Sequence, residues 1–403
     1  MIPFSPPFID QDVIDEVVDT LKSGWITTGP KTKQFEKELT AYCNSQATLC
    51  LNSATAGLEI ILRWFGVGPG DEVILPAYTY SATANVIIHC GAKPVFVDIC
   101  EDFNICIVEI LKAITPSTKV IMPVDFAGYP CNYDEINTIV NCPEVKTMFL
   151  PKTVEQEKLG RILVLSDAAH SIGAVYKEKV TGSLTDITVF SFHAVKNLTT
   201  AEGGALALNL PAPFNNQSLY ETLCIKTLHG QNKDALAKTK PGSWKYDVVE
   251  AGYKMNMTDI MASIGLVQLR KYNDVILAQR KQIFSQYTIE LSKYEWAIIP
   301  EYKNGDKETS YHLYPLRIRG ITEQQRDAII ALIFEHQVSV NVHFLPVPMT
   351  TFYKSIGYDI SHYPKTIAHY STEISLPVFV GLTESMTQQV LQALILSVQK
   401  IIK

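Results

Sequence analysis

Four short clusters in this chain put reactive or small polar side chains directly after apolar runs, where an open α/β sheet binds its ligands. The run Val189-Phe190-Ser191-Phe192-His193-Ala194-Val195-Lys196-Asn197 is followed by a Gly203-Gly204 pair. Lysines are mostly exposed, and a surface lysine is one reading of Lys196. The other is an amine that desolvation and a nearby cation bring from about 10.4 toward about 7–8, able to form a Schiff base and then shuttle a proton. In Ser166-Asp167-Ala168-Ala169-His170, Asp167 is either a helix cap or a carboxylate that keeps a pyridine nitrogen protonated, turning the ring into an electron sink. In Asn52-Ser53-Ala54-Thr55-Ala56-Gly57, small residues and hydroxyls at a helix start make a cap or a phosphate cradle. Tyr78 and Tyr80, after the run 72–75, are packing aromatics or rings that stack on a planar ligand.

Each cluster has a plain alternative, but together they meet the four needs of a pyridoxal phosphate site. These are a phosphate cradle, a stacking ring, a carboxylate for the pyridine nitrogen and a lysine for the aldehyde. Asp167 and Lys196 stand 29 residues apart on successive strand ends, so both can face one crevice.

The elements that must position them follow from periodicity. Apolar runs at 47–51, 72–75, 94–98, 119–124, 162–166, 187–192 and 205–208 alternate with helical spacing at 55–65, 81–90 and 133–140. Near-continuous apolar strands alternating with helices predict an α/β core, a mainly parallel sheet covered on both faces. Ahead of it, Asp10 can cap a helix carrying Val13, Val17, Val18 and Leu21 and stopped by Gly24. After about residue 256 the texture changes to a helix over 258–269, a second helix to about 291, strands at 311–318 and 338–342, and a closing amphipathic helix over 384–402. The expected organisation is a large domain over 1–255 and a smaller α+β domain over 256–403. Gly66-Val67-Gly68-Pro69-Gly70 follows a helix and precedes a strand, the reverse of a dinucleotide fingerprint, and reads as a turn. Residues 148–161 carry no functional reading.

Composition narrows the function classes. The 403 residues carry a formal net charge of −6 with 47% hydrophobic residues, which suits a folded chain and offers no basic footprint for nucleic acid. No basic segment leads into an apolar stretch, and none is long enough to span a membrane, so a cytoplasmic protein is expected. The eight cysteines lack a Cys-x-x-Cys pair and read as small buried hydrophobes.

The chain also resembles the DegT/StrS family of nucleotide-sugar aminotransferases over nearly its whole length. The resemblance runs from Gly24-Trp25-Ile26-Thr27-Thr28-Gly29-Pro30 through Gly70-Asp71-Glu72-Val73, Asp167-Ala168-Ala169-His170 and Ser191-Phe192-His193-Ala194-Val195-Lys196-Asn197. It continues in Gly252-Tyr253-Lys254-Met255-Asn256-Met257-Thr258-Asp259-Ile260 and Val342-His343-Phe344. The His-Ala-Val-Lys-Asn and Gly-Tyr-Lys-x-Asn forms look most like the branch that makes UDP-4-amino-4-deoxy-arabinose. The resemblance implies the aspartate aminotransferase-like fold type I, with pyridoxal 5′-phosphate as cofactor and pyridoxamine phosphate as its intermediate form. By the same likeness, Lys196 is the catalytic lysine that holds the cofactor and Asp167 the acid at the pyridine nitrogen. His170 lies near the ring hydroxyl, Thr55, Ala56 and Ser191 at the phosphate, and Tyr80 against the ring. Lys254 replaces an asparagine that in many relatives reaches the phosphate across a dimer interface. His343 matches a histidine near the sugar-nucleotide site. The implied reaction takes an amino group from L-glutamate to the keto carbon, a 4-keto carbon first, of an NDP-linked sugar for cell-surface polysaccharide or glycoconjugate synthesis. It implies a homodimer with shared active sites, and no membrane or nucleic acid partner. Two alternatives are a sugar dehydratase, which carries histidine where Lys196 stands, and a cofactor-binding regulator without turnover.

Overall fold

The apolar runs pair into one seven-stranded sheet. The computed structural model describes residues 1–232 and 245–402. Its strands are β1 (Ala47–Leu51), β2 (Glu72–Pro76), β3 (Lys93–Val97), β4 (Thr118–Ile121), β5 (Leu163–Asp167), a short hairpin of β6 (Val175–Tyr176) and β7 (Lys179–Val180), β8 (Ile187–Ser191) and β9 (Gly204–Leu208). The sheet order is β1-β9-β8-β5-β4-β2-β3, with β9 antiparallel to both neighbours and every other pair parallel. Every residue of β1, β4, β5, β8 and β9 is buried, which is why these strands read as near-continuous apolar runs, opened in β4 by Thr118 and Lys119 and closed in β5 by Ser166 and Asp167. Helices Ala54–Trp64, Ser81–His89, Ile107–Ala113 and Tyr133–Asn141 complete the crossovers, and their apolar faces join the sheet in the main core. The mainly parallel α/β architecture is as expected.

Local capping sets the ends. Asp10 accepts from Val13 N and Gly24 closes the helix Gln11–Ser23 in the left-handed region at φ 73°. The helix Pro30–Cys43, which the periodicity did not single out, begins with proline and has no side-chain cap of its own. Asp259 caps it from across the fold, accepting from Gly29 N at 2.8 Å, Lys31 N at 3.0 Å, Thr32 N at 2.9 Å and Thr32 Oγ1 at 2.6 Å.

The helix expected over 258–269 spans Asp259–Arg270, with Thr258 as its cap, and packs with Pro30–Cys43 against the Phe190, Phe192, Ala205 and Ala207 side of the sheet. A π-helical turn Tyr272–Leu277 leads into Ala278–Leu291. From Ile283 a second core gathers around β10 (Ala297–Ile298), β12 (Tyr314–Ile318) and β13 (Glu373–Leu376), an antiparallel sheet covered by helices Glu323–Glu335 and Glu384–Ile401. Between them β11 (Lys307–Glu308) joins the β6–β7 hairpin. We propose that 256–403 works as the smaller domain, with its first helix docked on the larger one.

Two expected strands differ. Only 314–318 of 311–318 is a strand, because Tyr311 takes φ 57° and Ser310 N and Leu313 N bond to Gly128 O and Ala127 O. At 338–342 there are isolated bridges alone: Ser339 N turns to Ile2 O and Asn341 N to Ser375 O, so successive amides find different partners and no ladder forms. The segment 148–161 holds helix Val154–Leu159 and braces the end of Ala54–Trp64, since Gln156 Nε2 donates to Phe65 O at 2.9 Å and Lys119 Nζ to Leu150 O at 2.7 Å. All eight cysteines are free.

Candidate active site

The carboxyl ends of β1, β2, β5 and β8 open on one cavity of about 400 Å³. Because β9 runs the other way, its first residue, Gly204, lies at the same edge, opposite Leu51 and Ser191. The cavity wall includes Ser53, Thr55, Tyr80, Asp167, His170, Ser191, Lys196 and His343. Eight expected positions, from four strand ends and from the segment that follows residue 338, therefore meet in one space.

Lys196 follows β8 after a turn closed by Lys196 N donating to His193 O at 2.9 Å. Burial brings its amine down to about 8, opposed by the Asp167 charge. No neighbouring cation is needed to lower it. Asp167 ends β5 and is 6% exposed. Burial raises its carboxyl, while the Thr83 hydroxyl, the Ala169 N–H and the Lys196 charge hold it down. Thr83 Oγ1 donates to Asp167 Oδ2 at 2.8 Å and so must accept from Thr79 Oγ1, 2.9 Å away.

The cradle lies at the start of Ala54–Trp64, where Ser53 accepts from Ala56 N at 3.1 Å. That bond removes the Ala56 amide from use, and Ala56 sits behind the wall; Ala54 and Thr55 line the cavity in its place. The backbone there runs over Gly204, where an added Cβ would meet Ala54 N at 2.5 Å and Ser53 C at 2.6 Å. Helix amides, the Thr55 hydroxyl and the Ser191 hydroxyl give the chemistry of an anion site.

The remaining walls come from further away. Tyr80 is 61% exposed at the mouth, its ring 5.7 Å from that of Phe344. His170 is buried, its Nδ1 makes no hydrogen bond among the described residues, and burial with the Lys196 charge holds it well below the ordinary histidine value. His312, unforeseen from sequence, lies 4.3 Å from His170 ring to ring. Asn197 Nδ2 donates to Ser310 O at 2.7 Å, so its Oδ1 must accept from His312 Nδ1 at 2.8 Å and the His312 tautomer is set. Phe4 stacks on His343, with centroids 5.4 Å apart. Lys254 is exposed and outside the wall of its own chain's cavity; its carbonyl accepts from Asn52 Nδ2 at 3.4 Å. Of these unforeseen residues only Thr79 and Thr83 left a sequence signal, two hydroxyls four apart at a helix start.

The residues fit pyridoxal phosphate by their chemistry. An anion cradle, a buried carboxylate, an amine near half-protonation and an unpaired buried imidazole nitrogen share one cavity.

Comparison with known proteins agrees with this. The model of the DegT/DnrJ/EryC1/StrS aminotransferase family matches residues 7–149 and 152–395. The spore coat polysaccharide biosynthesis protein SpsC of Bacillus subtilis is 37% identical over 399 residues, 97% of this chain and 96% of its own. Spr1654 of Streptococcus pneumoniae, a candidate sugar aminotransferase, has in its pyridoxamine phosphate form a TM-score of 0.96 at 45% identity over 100% of both chains. Its pyridoxal phosphate form gives 0.94 at 43% over 100% of both. PseC of Helicobacter pylori, an aminotransferase involved in pseudoaminic acid biosynthesis, gives 0.87 at 25% over 99% of both.

Proposed function

Since this chain belongs to the DegT/DnrJ/EryC1/StrS aminotransferase family, a family that works with pyridoxal phosphate, we propose that it moves an amino group from L-glutamate to the 4-keto carbon of an NDP-linked sugar. The product serves cell-surface polysaccharide or glycoconjugate synthesis, a reading supported by the likeness to SpsC. The observation that carries the proposal is the Lys196 amine and the Asp167 carboxylate on the wall of one cavity, beside an anion cradle. When bound, pyridoxal phosphate supplies a carbonyl that accepts amines and a ring that spreads the electron pair left on carbon.

The chain's own residues do the rest. The Ala54 and Thr55 amides with the Thr55 and Ser191 hydroxyls would hold the phosphate, and Tyr80 the ring face. Asp167, kept toward its ionised form by Thr83 and Ala169, would hold a cation at the pyridine nitrogen. His170 Nδ1, left without a hydrogen-bond partner among the described residues, would bond to the ring hydroxyl. Lys196 Nζ, brought to about 8, is near enough to neutrality both to take a proton from the donor's α-carbon and to return one to the sugar carbon. Leu58, Val124, Val195 and Phe344 in the wall limit water at the reacting carbon. His343 would contact the sugar nucleotide, and we propose a homodimer in which Lys254 reaches the partner's phosphate site.

The deciding experiment incubates the holoenzyme with L-glutamate and a panel of UDP-, dTDP- and GDP-linked keto-sugars and weighs the products. A mass change of ketone to amine is expected; no half-reaction with glutamate would favour a regulator. Lys196→Ala should lose the cofactor absorbance that borohydride fixes to the protein, and its persistence would remove Lys196 from its role. Sedimentation of a fully active monomer would refute the shared sites.

A further inference from the structure

His343 lines the cavity between Phe4 and Phe344, with its Nδ1 turned away to Ser375 Oγ at 2.9 Å, so Nε2 is the nitrogen left for a ligand. Behind it the chain of bonds continues. Ser375 Oγ is bonded to Glu373 Oε1, and Glu373 Oε2 accepts the backbone N–H of His343 at 3.0 Å. Glu373 and Ser375 alternate on β13, share a face of that strand, and are both fully buried.

One proton sets the sense of every bond. With Glu373 ionised, Ser375 donates to it, His343 Nδ1–H donates to Ser375, and Nε2 is a bare acceptor. With Glu373 protonated, the acid donates to Ser375, Ser375 donates to Nδ1, and Nε2 carries the hydrogen. The proton belongs on Oε1, because Oε2 already accepts an N–H.

The surroundings favour the acid. The charged and titratable groups that face Glu373 are Arg326, Tyr78, His343 itself and Arg317, its pairing partner on β12, whose guanidinium is turned to Glu101 Oε2 at 3.3 Å; Tyr370 lies beyond Tyr78. The Arg326 side chain donates to Asp327 Oδ1 and Tyr370 O at 2.6 Å each, lies 3.6 Å from Glu323, and reaches Glu373 only at its backbone carbonyl, at 3.4 Å, not at its carboxyl. The Tyr370 hydroxyl donates to Glu323 at 2.9 Å, and the buried Tyr78 hydroxyl makes no hydrogen bond among the described residues. Burial raises the Glu373 carboxyl to about 8, against the Ser375 hydroxyl, the His343 N–H and Arg326. The His343 ring stays neutral, pushed down to about 3 by burial and by the Lys196 charge.

We propose that Glu373 and Ser375 are positioning residues, a relay that makes His343 Nε2 a hydrogen-bond donor to an oxygen of the sugar substrate at neutral pH. The inference rests on the sugar-aminotransferase reading and adds to it the polarity of the contact. Above about pH 8 the relay reverses and the donor becomes an acceptor, so sugar binding weakens as Glu373 ionises.

Glu373→Gln tests the sense of the relay. The His343 N–H demands the amide oxygen, which turns the NH2 toward Ser375 and reproduces the acid form at every pH. The probe is a UDP-linked 4-keto-6-deoxy-N-acetylhexosamine. Between about pH 7 and about pH 9 the KM and equilibrium Kd of the wild type should rise about tenfold further than those of Glu373→Gln, in which the Lys196 amine still titrates but residue 373 does not, and the two enzymes should agree at neutral pH. Ser375→Ala should raise the KM about tenfold at neutral pH, with kcat and the glutamate half-reaction close to wild type. The relay is overturned if Glu373→Gln raises the KM at neutral pH as far as Ser375→Ala, or if wild type and Glu373→Gln share one pH profile. It is also overturned if the probe is not bound while the glutamate half-reaction is intact. Failure of that half-reaction in the wild type would instead remove the aminotransferase reading beneath it.

Discussion

Replacing Thr83 by valine keeps the shape of a fully buried side chain and deletes two hydrogen bonds, the 2.8 Å contact from its Oγ1 to Asp167 Oδ2 and the 2.9 Å contact it accepts from Thr79 Oγ1. A hydrogen bond to a charged acceptor contributes about 1.5–3 kcal/mol. The Ala169 N–H at 3.2 Å and the Lys196 charge remain, so the lower end, about 1.5 kcal/mol, is the expected loss. At about 1.4 kcal/mol per unit this moves the Asp167 carboxyl up by about one unit, in the same direction as its burial already does. Less carboxylate at a given pH means a less firmly held cation opposite it. The acid limb of the glutamate half-reaction should shift up by about one pH unit, with a rate about tenfold lower at its foot. Thr79, left without its hydroxyl acceptor, adds a stability loss of about 1 kcal/mol. The assay is single-turnover absorbance against pH, alongside thermal unfolding. An unmoved acid limb with rates within about twofold of wild type would refute the argument, as would failure of Thr83→Ser to restore it.

Other consequences are as direct. Uptake of pyridoxal phosphate by the apoprotein should rise with pH through a midpoint of about 8, where the Lys196 amine loses its proton, and a midpoint near the ordinary lysine value of 10.5 would show that the amine is not desolvated. Gly204→Ala places a Cβ 2.5 Å from Ala54 N and 2.8 Å from Phe190 O, backbone atoms that cannot turn aside, so the cradle must shift. We expect cofactor affinity to fall at least tenfold by fluorescence titration, with a stability loss of about 1–3 kcal/mol. Asp259→Ala strips the acceptor from three amides and the Thr32 hydroxyl at the start of Pro30–Cys43, which should lower the urea midpoint by the equivalent of about 3 kcal/mol.

The sheet was legible because its information is local. The 47–51 run coincides with β1, and the other six core strands differ from their expected bounds by a few residues at their ends. Strands buried on both faces are mostly apolar, and Asp10, Thr258 and Gly24 cap helices within their own neighbourhoods. The helix Pro30–Cys43 was not legible because its cap, Asp259, lies more than two hundred residues along the chain. At 338–342 a β-branched run predicts a strand, and only the partners at Ile2 and Ser375 decide against one.

The same division runs through the site. Residue type and placement after a strand identify Lys196, Asp167, Ser53 and Thr55 as candidates, since an amine, a carboxylate and hydroxyls carry their chemistry wherever they stand. Ser191 is named by the family resemblance instead. What those groups become depends on neighbours that the sheet order alone brings close. Thr83 sets the ionisation of Asp167, and Asn197 sets the tautomer of His312. The bond from Ser53 to Ala56 takes the Ala56 amide out of the cradle. Proton positions and burial are properties of assembled surroundings, so a linear pattern names the reacting groups and the packed molecule assigns their states.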